Sequence, residues 1–164
     1  MNPGELVKLR AEIQFIAIAA AQIQETMARL AGKLDPDAPQ EEVLMALGLN
    51  LQHYYSALED IMARIVAVFD QYKPSGPEWH KGLMELATVA TGYRPPILDR
   101  GTYEQLDEYR RFHHLVRKAY LKRLEWGKMQ QLVEDSSRTL QAVQGDLKEF
   151  DAFMTEAIAD LEKL

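Results

Sequence analysis

Residues 41–72 read EEVLMALGLNLQHYYSALEDIMARIVAVFDQY. Within them Leu44, Leu47, Leu51, Tyr54, Leu58, Ile61, Ile65, Val68 and Tyr72 recur in alternating steps of three and four, the stripe that one face of a long amphipathic helix turns toward a core. Upstream, Leu6, Leu9, Ile13, Ile16, Ala20, Ile23, Met27, Leu30 and Leu34 keep the same rhythm, with Pro3 suited to a first helical turn and Gly32 to the end. A polar break with two prolines, Asp35 to Pro39, divides these two helices. Downstream, Lys73 to Pro77 stops the second helix, and Glu78 to Ala90 fits a shorter third one carrying Trp79, Leu83, Met84, Leu86 and Val89. After an irregular loop from Thr91 to Arg100, Thr102 and Gln105 have capping-box spacing and predict a fourth helix to about Leu124. Gly127 argues against a continuous rod, and from Met129 a fifth stripe runs through Val133, Leu140, Val143, Leu147, Phe150, Met154 and Leu161. No segment reads as a strand and no 20- to 50-residue repeat is present. The expected fold is therefore all-α, an antiparallel bundle of about five helices forming a single domain over residues 1–164, with stripes long enough for a helical dimer interface.

Composition removes several classes of function. The 164 residues include no cysteine, which excludes a disulfide scaffold, thiolate zinc sites and thiol nucleophiles, and fits a reducing compartment. The longest apolar run, Phe15 to Ala21, is far short of the ~20 residues that span a bilayer. Asn2-Pro3-Gly4-Glu5 does not resemble the basic start of a secretory signal, so a cytoplasmic protein without membrane association is expected. Phosphate loops, the zinc-binding His-Glu-x-x-His pair and the Gly-x-Ser-x-Gly elbow are all missing from the sequence. None of His53, His80, His113 and His114 follows a glutamate by three residues, so neither a metal nor another cofactor is expected.

One segment stands apart. Tyr109 to Leu124 carries Arg110, Arg111, Arg117, Lys118, Lys122 and Arg123 without one acid. Taking these six from the 19 basic residues leaves 13 against 25 acidic ones, so the rest of the chain carries −12 while the whole carries −6. His113 and His114 lie in the same segment, placing side chains that exchange protons near neutral pH beside cations able to hold phosphate. On a helix Tyr109, His113, Val116 and Tyr120 share a stripe, Arg117 lies over His113, and Lys118 lies over His114. Arg110, Arg111, Arg117 and Lys122 are thus candidate phosphate-binding cations, which the resemblance described below would make RNA-binding, and His113 and His114 candidate acid–base groups. The same residues also fit a plainer account, with His113 and Tyr120 hydrogen-bonded in the core and the cations forming a solvated face that offsets Asp107, Glu108 and Glu125.

Several motifs in order carry a resemblance over roughly residues 40–160. They are Tyr54-Tyr55-Ser56-Ala57-Leu58-Glu59-Asp60-Ile61, Glu78-Trp79-His80-Lys81, Arg94-Pro95-Pro96-Ile97, Leu106-Asp107-Glu108-Tyr109, and then Phe112, His114 to Arg117 and Ala119-Tyr120. The set resembles HepT-like ribonuclease toxins of the HEPN superfamily. The resemblance implies a helical homodimer whose motif helices line a shared cleft, and a metal-independent endoribonuclease acting on cellular RNA. It also implies a minimal nucleotidyltransferase antitoxin, as in type VII-like toxin–antitoxin systems, that silences the toxin by transferring AMP to a motif tyrosine. The family motif is arginine, four residues, histidine, one residue, tyrosine. Alignment on Ala119-Tyr120 puts Tyr120 in the tyrosine slot, His113 in the arginine slot and Lys118 in the histidine slot.

Two departures from three motif residues bear on the chemistry. A lysine with a reference pKa near ~10.4 is protonated at neutral pH and takes no proton from a ribose 2′-hydroxyl. The resemblance therefore implies weakened or lost cleavage, or an exchange of roles in which His113 or His114 is the base and Lys118 or Arg117 the phosphate cation. Two other readings remain open: a non-catalytic HEPN module that docks a nucleotidyltransferase, and an RNA-binding adaptor bundle. Tyr54 and Tyr55 are expected in the core or at a dimer contact, Glu59, Asp60 and Arg64 as a structural charge group, His80 as a structural histidine, and Arg94 in a stiff loop.

Overall fold

The computed structural model describes residues 1–118 and 124–163, the side chain of Lys118 excepted. Among the described residues five helices follow one another: α1 (Pro3–Ala31), α2 (Glu41–Phe69), α3 (Trp79–Ala87), α4 (Arg100–Lys118) and α5 (Trp126–Leu161). No strand occurs among the described residues. Nor is any helix there long and apolar enough to cross a membrane.

Cross-helix contacts fix the directions. Arg10 pairs with Asp151 and Gln24 meets Ser136, so α1 and α5 are antiparallel. Arg64 reaches Glu12 across the α1–α2 hairpin. Tyr54 packs on Tyr109, and Leu124 lies against Gly48, so the chain around α4 runs antiparallel to α2. A Cβ at Gly48 would sit 2.5 Å from Leu124 Cδ1, so any side chain at this mid-helix position would have to push that leucine aside. Tyr109 donates its hydroxyl hydrogen to Leu132 O, and Thr139 Oγ1 donates to Gln105, making α4 and α5 antiparallel.

α2 touches all four other helices, and its sequence supports that centrality with a second stripe beside the first. Tyr55, Glu59, Met62, Val66 and Phe69 repeat in steps of four and three, and all are buried. Two adjoining stripes make the apolar face of α2 wide enough to serve both the α1–α5 side and the α3–α4 side.

Helix ends differ from the sequence expectation where local hydrogen bonds intervene. Asn2 and Glu5 form a reciprocal capping box ahead of Pro3. α2 stops at Phe69 because Gln71 adopts a left-handed backbone with φ 49°, which leaves Tyr72 exposed rather than in the core. α3 ends at Ala87, whose carbonyl accepts from both Ile97 N and Leu98 N as the following loop folds back. α4 starts two residues before Thr102: Asp99 caps it, its carboxylate accepting from Gly101 N at 2.9 Å, while Gln105 is used by Thr139. α5 begins at Trp126, so Gly127 falls in its first turn.

Candidate functional site

α2 and α3 meet the C-terminal half of α4 at a cluster of polar side chains. Tyr55 and Glu59 lie one turn apart on α2, and the Tyr55 hydroxyl donates to Glu59 Oε2 at 2.5 Å. The same oxygen lies 2.7 Å from Nδ1 of His80, the second residue of α3. Glu59 is only 7% exposed, so its carboxylate sits inside the protein with these two donors for company. The His80 ring stacks on Trp79 with centroids 3.6 Å apart, and its other nitrogen, Nε2, faces Arg117 Nη1 of α4 at 3.4 Å. Burial, and then the Glu59 carboxylate, push the Tyr55 phenol far above its ordinary value, so it remains a neutral donor.

His113 completes the cluster from α4. Its ring centroid lies 5.2 Å from that of Tyr55 and 6.0 Å from that of His80, and its buried Nδ1 has no hydrogen-bond partner among the described residues. Burial lowers its pKa, against the pull of Glu59, with His80, Arg117 and His114 adding to the lowering. An unfolded imidazole takes up its proton near pH ~6.5, whereas the folded one does so lower. In between, the unfolded chain binds more protons, so stability drains away as pH falls below ~6.5. The melting temperature of the wild type should therefore fall more steeply from pH 7.5 to 5 than that of His113→Gln; parallel profiles would contradict the burial effect.

The remaining candidates have different surroundings. His114 is exposed. Arg110 donates to Asp107 Oδ1 at 2.6 Å and is largely covered, whereas Arg111 is exposed and paired with both Asp107 and Glu108. Arg117 is exposed beside His80. Tyr120 and Lys122, with the side chain of Lys118, lie outside the described residues. Tyr54 and Tyr109 are core residues whose hydroxyls donate to Ser136 O and Leu132 O, and burial pushes the Tyr109 phenol up to about 12. A groove of about 660 Å³ between α4 and α5 is lined by Glu104, Glu108, Asp135, Arg111, Arg138 and Lys128 among others, a mixed set without the one-sided charge that phosphate needs.

On sequence alone Glu59 fits a structural charge group and His80 a structural histidine; the structure puts both in the cluster. The available signal was Glu59 itself, a lone acid in the otherwise apolar stripe of Tyr55, Met62, Val66 and Phe69. Arg94 is no part of this site: it is buried under α3, bound to Asp70.

A family model described as HepT-like protein matches residues 46–154, 109 of the 164, taking in most of α2 through most of α5. No curated protein and no solved structure matches the chain. The matched region contains every residue of the cluster, on a five-helix frame of the HEPN type. The chain belongs to the HepT-like family of the HEPN superfamily.

Proposed function

We propose that this chain is the ribonuclease toxin of a toxin–antitoxin pair, a homodimer in the cytoplasm that cleaves cellular RNA without a metal. Family membership supports a HEPN-type toxin module. The observation that carries the reading further is the convergence of His80, His113 and Arg117 where α3 meets α4, two proton-exchanging rings and one exposed cation in reach of a single phosphodiester. His113 and Lys118 occupy motif positions that hold arginine and histidine in HepT-like toxins, so cleavage is slower than that of a chain with the full motif. The partner is a minimal nucleotidyltransferase that recognises the Tyr120 region and transfers AMP to the Tyr120 hydroxyl, with pyrophosphate leaving from ATP.

One experiment tests both halves. Incubated with total RNA and excess EDTA, the purified chain should generate fragments ending in 2′,3′-cyclic phosphate. Prior treatment with the cognate nucleotidyltransferase and ATP should add the mass of AMP at Tyr120 and stop the cleavage. Intact RNA throughout removes the ribonuclease reading, and equal AMP addition to Tyr120→Phe removes the modification site.

A further inference from the structure

We infer that His80, oriented by Glu59, is the proton acceptor for RNA cleavage at this site, supplied from α3 where the α4 motif carries Lys118 in place of histidine. The inference rests on the ribonuclease reading above and extends it to residues outside the α4 motif.

Hydrogen-bond roles around the ring define its state. Glu59 Oε2, as a carboxylate oxygen, can only accept, so the hydrogen lies on His80 Nδ1, 2.7 Å away. Arg117, as a guanidinium, can only donate, so Nε2 meets it 3.4 Å away with its lone pair. The two neighbours specify the same tautomer from opposite sides, with the lone pair of Nε2 directed toward the exposed cation of α4. The ring is held by its stack on Trp79, yet its side chain retains 17% exposure, so it is both oriented and reachable. Glu59 is positioned in turn by the Tyr55 hydroxyl. A carboxylate that aligns an imidazole is the arrangement by which a weak hydroxyl nucleophile is activated elsewhere in enzymology.

The step balances with RNA and water alone. Nε2 takes the proton of the ribose 2′-hydroxyl as the 2′-oxygen bonds to phosphorus, and Arg117 donates to the non-bridging oxygens. The bond from phosphorus to the 5′-oxygen breaks, that oxygen takes a proton from water, and His80 returns its proton to the hydroxide left behind. A 2′,3′-cyclic phosphate and a 5′-hydroxyl result.

The test compares wild type, His80→Gln, His80→Ala, Glu59→Gln and Glu59→Asp on one labelled single-stranded RNA, with affinity read on its 2′-O-methyl counterpart. His80→Gln should cleave ~100-fold more slowly while binding the 2′-O-methyl strand within about threefold of wild type. Added imidazole should restore part of the rate to His80→Ala. Glu59→Gln should slow cleavage without weakening binding of the 2′-O-methyl strand, and Glu59→Asp, smaller but still a carboxylate, should cleave faster than Glu59→Gln, an order that loss of packing alone does not produce. Wild-type cleavage rates in His80→Gln overturn the inference and leave the ribonuclease reading standing. A wild-type chain inert on every RNA tried overturns that reading and the inference together.

Discussion

Replacing Arg94 with alanine is expected to lower the unfolding free energy by ~3–5 kcal/mol, read from urea denaturation. The Arg94 side chain is 0% exposed and its partner Asp70 9% exposed. Nε donates to Asp70 Oδ2 at 2.8 Å, and Nη2 lies 2.7 Å from the same oxygen as an ion pair. The remaining hydrogens go to main-chain carbonyls: Nη1 to Val89 O and Pro95 O, Nη2 to Leu86 O. Alanine would leave a carboxylate at the end of α2 unpaired in the interior and three carbonyls without this donor. Because the cost comes from stranding one charge, the double variant Arg94→Met with Asp70→Leu should lose less than Arg94→Ala alone. Equal losses in the two proteins would show that packing, not the stranded charge, dominates. The same guanidinium closes the C-terminal end of α3, a helix of nine residues too short to persist unaided. Since His80 lies at the other end of α3, weakening this clamp should also loosen the His80–Glu59 pair.

The architecture was legible because periodicity is a local signal averaged over many residues. The stripe from Leu44 to Ile65 is buried throughout, as are Leu6, Leu9 and Ile13 in α1 and Val133, Leu140, Val143 and Phe150 in α5. Ends were less legible, since each depends on one or two hydrogen bonds. Thr102 and Gln105 have the spacing of a cap, but any Thr and Gln three apart within a helix share it; Asp99, already satisfying Gly101 N, decides the start. The second stripe of α2 is masked in the sequence because the first alone accounts for a helix, and the inward orientation of Glu59 is masked with it.

Long-range pairings account for the rest of the site. Glu59 and His80 are 21 residues apart, and His80 and Arg117 are 37 apart. Neither pair shares a helix, so only the packing of α3 between α2 and α4 brings them together. Proximity in sequence was misleading in the opposite sense for Asp60 and Arg64. That i, i+4 pair reaches out to Glu12 on α1, whereas Glu59, next in sequence, points to Tyr55 and His80. The basic segment likewise reads as uniform along the chain and is not so in space. Arg110 and Arg111 are held by the acids just upstream of them, while Arg117 faces an imidazole.

That difference among the arginines leads to the second large effect. Arg117→Ala should reduce RNA cleavage ~100- to 1,000-fold, the range for removing a positioned donor from a transition state that gathers negative charge. In the proposed reaction the phosphorane carries that charge beside His80, and Arg117 is the described cation within hydrogen-bonding distance of the ring. Its exposure means that the folded chain should lose little stability on substitution, within ~0.5 kcal/mol. Lysine at this position should recover only part of the rate, because an ammonium lacks the planar fork that holds two phosphate oxygens at once. Arg111→Ala provides the internal comparison. Its guanidinium pairs with Asp107 at 2.9 Å and Glu108 at 3.5 Å, so its charge is largely offset before RNA arrives, and the rate should stay within about threefold of wild type. Equal losses in the two variants would mean that α4 attracts RNA through its summed charge. A loss confined to Arg117 places the reacting phosphate over the junction of α3 and α4.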